Sequence, residues 1–172
     1  MKKIRKSVFE TNSSSTHSIC IAKDTELIIP SSIDFSFGEF GWKCDTLQSD
    51  TAKASYLYTG LIANDRQDDV AKVIGVLESR GVNVIVEEPV YKNERYTDSL
   101  GKLVEYRAGV NVGYIDHAYD LNEFLSAICD DEERLMNYLF SPLSFIITGN
   151  DNDEMDVDIS ASYPHEEYYK GN

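Results

Sequence analysis

A run of ten residues near the start of the chain, Phe9-Glu10-Thr11-Asn12-Ser13-Ser14-Ser15-Thr16-His17-Ser18, holds its densest candidate chemistry. From Thr11 to Ser18 every side chain is polar, and all but His17 are short. Hydroxyls and loop amides donate to oxyanions. Ser13, Ser14 and Ser15 with Thr16 would therefore cradle a phosphate, with His17 adding charge or moving a proton. A serine nucleophile with His17 or His117 as its base is the sharper form of this reading, although the segment lacks the Gly-x-Ser-x-Gly elbow. The same loop can also satisfy itself through Asx- and ST-turns. Asp116-His117 is the second candidate. Neighbours on a strand point to opposite faces, so these two form a bonded dyad only at a bend. A pairing of His17 with Asp116 across a sheet would make an acid/base site; strand-end or capping roles are the plainer alternative.

The third candidate is Asn150-Asp151-Asn152-Asp153-Glu154-Met155-Asp156-Val157-Asp158. Alternating oxygen ligands such as Asp151 and Asp153 suit Mg²⁺ or Ca²⁺. The EF-hand pattern fails, because no glycine stands at the sixth position and Ser162 occupies the twelfth. A solvated acidic loop without metal is the default expectation.

The acids are distributed unevenly. Residues 1–86 carry 10 Lys/Arg and 11 Asp/Glu, whereas residues 87–172 carry 6 and 19, so −13 of the total −14 lies in the second half. Such a field repels nucleic acid and anionic membrane and attracts basic surfaces. Asp130, Asp131, Glu132 and Glu133 stand together before an apolar run, and Asp151, Asp153, Asp156 and Asp158 follow in the acidic loop. Carboxylates along one face imitate duplex phosphates. Tyr163, Tyr168 and Tyr169 beside them would add apolar anchors.

The opening Val8–Ser18 stretch, Gly113-Tyr114-Ile115-Asp116-His117 and Thr148-Gly149-Asn150-Asp151-Asn152-Asp153 together resemble small proteins of phage and prophage type. No activity is attached to that group. The resemblance implies a phage origin, and with it a host-directed interaction protein.

At 172 residues the chain suits one α+β domain over 1–172, with a near-neutral half (1–86), a strongly acidic half (87–172) and a tail from Ser160 ordered through its tyrosines. The 42% apolar content and the 19 aromatic residues fit a packed core. Cys20, Cys44 and Cys129 are too widely spaced for a zinc site and read as reduced thiols of a cytoplasmic protein. The basic start has no apolar region after it, and no apolar run approaches a membrane span.

Patterning predicts strands at Ile4–Phe9, Ser18–Ala22, Ile33–Phe37, Val82–Val86, Leu103–Arg107, Val110–Ile115 and Leu143–Thr148. It predicts helices at Ser49–Ala63, capped by Ser49 or Asp50, and at Gln67–Arg80, where Val70, Val73, Ile74 and Leu77 form one stripe. Two more helices follow: one opened by a capping box from Asp120 to Glu123, the other spanning Asp130–Phe140. Tyr91–Asp98 reads as a polar loop. The expected architecture is a mixed, mainly antiparallel sheet with about four helices packed against it. Two functional readings follow. One is an acidic inhibitor of a basic, nucleic-acid-handling host protein, of the DNA-mimic, anti-defence or anti-CRISPR type. The other is a nucleotide or phosphoester enzyme using His17, Asp116 and His117. A virion or regulatory component is a third.

Overall fold

The computed structural model describes residues 15–41, 43–150 and 164–170. The expected strand at Ile4–Phe9, the Thr11–Ser14 part of the polar segment and the acidic loop beyond Asn150 lie outside them. Ten strands and four α-helices follow one another: β1 (Ser15–Ala22), β2 (Ser32–Phe35), β3 (Glu39–Phe40), β4 (Asp45–Leu47), α1 (Asp50–Ala63), α2 (Gln67–Ser79), β5 (Asn83–Val86), β6 (Tyr91–Thr97), β7 (Leu103–Gly109), β8 (Tyr114–Ile115), α3 (Asn122–Asp130), α4 (Glu132–Phe140), β9 (Phe145–Asn150) and β10 (His165–Lys170). A 3-10 turn at Ala118–Leu121 leads into α3. The class is α+β. The largest sheet is antiparallel in the order β10-β1-β9-β4, and the pairs β2–β5 and β3–β8 are parallel.

β1 contains the expected Ser18–Ala22 strand and corrects the reading of Ser15–His17 as loop. Its neighbours on both sides, β10 and β9, take up its backbone groups, and residues 16–22 are buried whatever face they point to. Polar side chains are tolerated there because each finds a partner. Among the described residues no buried side-chain nitrogen or oxygen lacks a hydrogen bond.

α1 is capped as its sequence implies, with Ser49 Oγ accepting from the Ala52 amide. It does not show a single stripe, however. Every residue from Lys53 to Ile62 is buried, because α1 packs against β2, β8, α2, α3 and α4 at once. A helix covered all round loses the amphipathic pattern. α2 keeps it, with Val73 and Leu77 in the core and Gly81 at φ +82° after the helix. The box expected at Asp120 is not formed. A 3-10 turn occupies that position, and α3 starts without a side-chain cap.

Tyr91–Thr97 is a strand, not a loop, and pairs with β7 along its whole length. Of the expected Val110–Ile115 strand only Tyr114–Ile115 remains. On β9 both Ile146, opposite Ile19, and Ile147 are buried, while Leu143 before the strand is exposed.

The β3–β8 pairing requires Gly113. It lies at φ +64°, and a Cβ there would stand 2.3 Å from the Gly38 carbonyl oxygen. Two backbones meet at this point, with the Tyr114 amide donating to the Gly38 carbonyl at 2.8 Å. Gly113→Ala is therefore expected to cost about 2 kcal/mol or more of stability, read as a lowered urea midpoint. An unchanged midpoint would show that the two segments separate easily.

Candidate functional site

The described helices and strands gather two groups of acids on the surface, and the two differ in how fully their charge is already used. At the α3–α4 junction Asp130 accepts from Lys72 at 2.9 Å and Glu132 from Arg80 at 3.4 Å, so both are tied to α2 and its end. Asp131 caps α4 by accepting from the Arg134 amide and also lies 3.5 Å from that residue's guanidinium. Glu133 lines a cleft with Asp24, Asp131 and Glu166, where Lys23 and Arg134 supply the balancing charge. Acids placed for the helix dipole have found cations of the same chain.

In that cleft Arg134 donates to both oxygens of Glu166, at 2.5 and 3.1 Å, and Lys23 approaches at 2.6 Å. The Arg134 hydrogen bond is the main reason the Glu166 carboxyl is held at about 2. The pair fastens β10 to α4. Because the folded value is depressed, its stabilisation is fully present above the ordinary glutamate value and is lost as pH falls from about 4.5 towards 2. Glu166→Gln is expected to lower stability by about 1–2 kcal/mol at neutral pH, after allowing for solvent screening, and to cost almost nothing near pH 2. Denaturant melts at both pH values check this; a difference independent of pH contradicts it.

The second group surrounds a cavity of about 140 Å³ lined by His17, Ile19, Asp120, Leu121, Glu123, Phe124, Glu167 and Tyr168. β1 places His17 and Ile19 on one face, and the register sets Tyr168 of β10 opposite Ile19. Phe124, on the core face of α3, meets Tyr168 edge-on at 5.8 Å, Tyr138 at 5.3 Å and Tyr56 at 6.4 Å. Tyr56 Oη lies 2.7 Å from His17 Nδ1, and burial holds the Tyr56 phenol well above its ordinary value. The floor is thus a packed aromatic cluster with a buried imidazole in it.

The rim is anionic. Asp120 comes from the 3-10 turn, Glu123 from the first turn of α3 and Glu167 from β10. Among the described residues two imidazoles approach them: His117 Nδ1 is 3.9 Å from Asp120 and His165 Nε2 is 3.0 Å from Glu167. No ion pair to Glu123 forms among the described residues.

The comparisons add no relative. No family model, no curated protein and no solved structure matches the chain.

The other sequence candidates are placed apart. Ser15 begins β1, opposite Asn150. Ser13 and Ser14 lie outside the described residues, as do Asp151, Asp153, Asp156, Asp158 and Tyr163; for Tyr169 only its place in β10 is described. Asp116 follows β8, its amide donating to the Phe40 carbonyl and its carboxylate accepting from Tyr114 Oη at 2.9 Å. His117 adopts φ +53°, and this bend brings its Nε2 to 4.0 Å from Asp116, beyond hydrogen-bond reach. His117 lines a different cavity from His17, one shared with Tyr91, Tyr114 and Tyr119. Among the described residues no group of three or more His, Cys, Asp and Glu side chains is arranged to hold a metal ion.

Three carboxylates around a small aromatic-floored cavity fit one kind of visitor, an ammonium or guanidinium on an apolar stem. The stem meets Phe124 and Tyr168, and the cation meets the rim. In the sequence Asp120 and Glu123 read as a capping box that opens a helix. One signal pointed elsewhere: they stand three apart and so share a helical face, next to the Phe124 position.

Proposed function

We propose that this chain is an acidic binding protein that seats a basic, nucleic-acid-handling partner and keeps nucleic acid out of that partner's groove. The observation that carries the proposal is the rim of Asp120, Glu123 and Glu167 around the His17–Phe124–Tyr168 cavity. It supplies a seat for a partner's Lys or Arg at a place where, among the described residues, no Lys or Arg forms an ion pair with these acids. The −13 carried by residues 87–172 steers a cationic partner towards this half and speeds encounter. Carboxylates then take the places that phosphates occupy in the competing complex. The proposed setting is the host cytoplasm that a phage origin implies, with no metal or cofactor involved. The phosphoester reading needs His17 and His117 in one site, and they line separate cavities.

The test uses an arginine-rich peptide as the probe, carrying a labelled DNA duplex. Added protein is expected to release the duplex at low ionic strength and to do so at least about tenfold less effectively near 0.5 M salt. A duplex that stays bound under excess protein at low salt would sink the proposal.

A further inference from the structure

The cavity that His117 lines is walled by tyrosines from three separate elements. Tyr91 opens the β6–β7 arm, Tyr114 lies in β8, and Tyr119 lies in the 3-10 turn before α3. The cavity holds about 280 Å³, and Ile62 of α1 and Ile115 of β8 add aliphatic lining. One carboxylate, that of Asp65, stands among these groups.

The walls are held from behind. Tyr91 pairs with Gly109 across the arm, and the Asn111 side chain ties the root of the arm to Val90, Glu87 and Glu88. The Tyr114 amide donates to the Gly38 carbonyl, and its hydroxyl donates to Asp116 at 2.9 Å. Asp65 follows α1 in the left-handed region, at φ +56°, with its amide donating to the Ile62 carbonyl. The Tyr119 carbonyl accepts from the Asn122 side chain, while Tyr119 as a whole is 77% exposed. Among the described residues neither the Tyr119 side chain nor the Asp65 carboxylate makes a hydrogen bond, ion pair or ring contact.

This lining suits a different cation from the one the acidic rim suits. The rim offers three carboxylates, which match the N–H donors of a lysine or arginine. Here ring faces and aliphatic groups dominate, and a bare ammonium would give up its water for too few acceptors. An ammonium whose hydrogens are replaced by methyl groups keeps the charge, has no donor to satisfy and presents an apolar shell to the rings. Tyr91 already meets a cation in this way: the Arg107 guanidinium lies 4.1 Å from its ring centroid, and Arg107 does not line the cavity. His117 is the lining residue that can carry positive charge. Its ring nitrogens lie 4.0 Å from Asp116 and 3.9 Å from Asp120, so a proton taken up there is offset locally.

We propose that the Tyr91–Tyr114–Tyr119 cavity binds a small, free quaternary ammonium compound, with its methyl groups against the rings and its charge balanced by Asp65. The volume selects a small ligand, since sites for drug-sized molecules begin at roughly 300 Å³. The site involves no basic partner, so its failure is separate from any failure of the rim.

Choline is the probe, titrated into the full chain at constant ionic strength with sodium as the balancing ion, because a chain of net charge −14 attracts any cation. Amide chemical shifts are expected to saturate at the residues lining this cavity, with a dissociation constant of about 5 mM or tighter. The neutral isostere of choline, with carbon in place of the nitrogen, is expected to bind at least about tenfold more weakly, as is ammonium itself. Tyr119→Leu keeps apolar area without the ring and is expected to lose about fivefold or more, whereas Tyr119→Phe stays close to wild type. Both variants should melt as wild type does, because the position is largely exposed. Asp65→Asn, a residue that also accepts the left-handed conformation, is expected to weaken choline and leave the isostere unchanged. Equal binding of choline and its isostere overturns the proposal, as does a lack of saturable shifts at the cavity or a Tyr119→Leu variant that binds as wild type. Phosphatidylcholine vesicles carry the same group on a membrane; co-sedimentation of the protein with them would overturn the assignment to a free ligand.

Discussion

Lys53→Ala is expected to cost about 3–5 kcal/mol of stability, enough to leave the protein marginal at 37 °C. Lys53 is completely buried in the first turns of α1. Its Nζ donates to the Ser141 and Ser144 carbonyls at 3.0 and 3.3 Å, while its own carbonyl accepts from Tyr138 Oη at 2.7 Å. Ser144 Oγ in turn donates to the Asn137 carbonyl and accepts from the Ala22 amide. Lys53 therefore ties α1 to the end of α4 and the approach to β9, and Ser144 carries the link on to β1. Alanine removes the stem, leaves a cavity and deprives two carbonyls of a donor. Urea unfolding at neutral pH measures the loss; a cost below about 1 kcal/mol would mean that water replaces the ammonium.

The same residue has a pH signature. Burial pushes the Lys53 amine down to about 8, against 10.5 for a free lysine. Below pH 8 both states are protonated and the burial penalty is constant. Between pH 8 and 10.5 the unfolded chain holds a proton that the folded chain has released, so stability rises with pH across that window. The gain is at most about 3 kcal/mol. Lys53→Met keeps the stem and lacks the titration, so wild type should gain stability relative to this variant across that range. The buried phenols of Tyr56 and Tyr138, both held well above their ordinary value, act oppositely above pH 10, but they are present in both proteins and cancel in the comparison.

The second large effect concerns the rim. Asp120→Asn, Glu123→Gln and Glu167→Gln together are expected to weaken binding of an arginine-rich peptide by about tenfold or more. The control is Asp130→Asn, Glu132→Gln and Glu133→Gln, which also removes three of the fourteen net negative charges. Two of those three acids are already paired with Lys72 and Arg80, so this variant is expected to lose about twofold at most. Fluorescence anisotropy at matched salt decides it. Equal losses would mean that net charge alone attracts the peptide and that the rim is not a seat.

Much of the scaffold was legible because local rules and tertiary packing agreed. Val73 and Leu77 of the predicted stripe are buried in α2 with Val70 packed against the core, Ser49 caps α1, and Ile33 and Phe35 alternate inward on β2. Where one environment surrounds an element on all sides, the pattern disappears. α1 is buried all round, so its sequence shows no face; the β6–β7 arm is exposed on both, so Tyr91–Thr97 shows no apolar alternation. β1 was misread at Ser15–His17 because a strand with neighbours on both sides can bury a polar stretch, with His17 resting on Tyr56, a contact 39 residues away in sequence. The rim was not legible for the same reason. Its acids come from a 3-10 turn, a helix and a strand, and only the packing of β10 beside β1 brings Glu167 to Asp120 and Glu123. The fate of Asp130 and Glu132 was equally hidden, since nothing local to them announces Lys72 and Arg80.

The most direct measurement is an amide chemical-shift titration of the labelled protein with an arginine-rich peptide. The account predicts saturable shifts confined to His17–Ile19, Asp120–Phe124 and Glu167–Tyr168, with Asp130–Glu133 moving little. Shifts that are centred on Asp130–Glu133, or spread evenly over the acidic half without saturating, would contradict it.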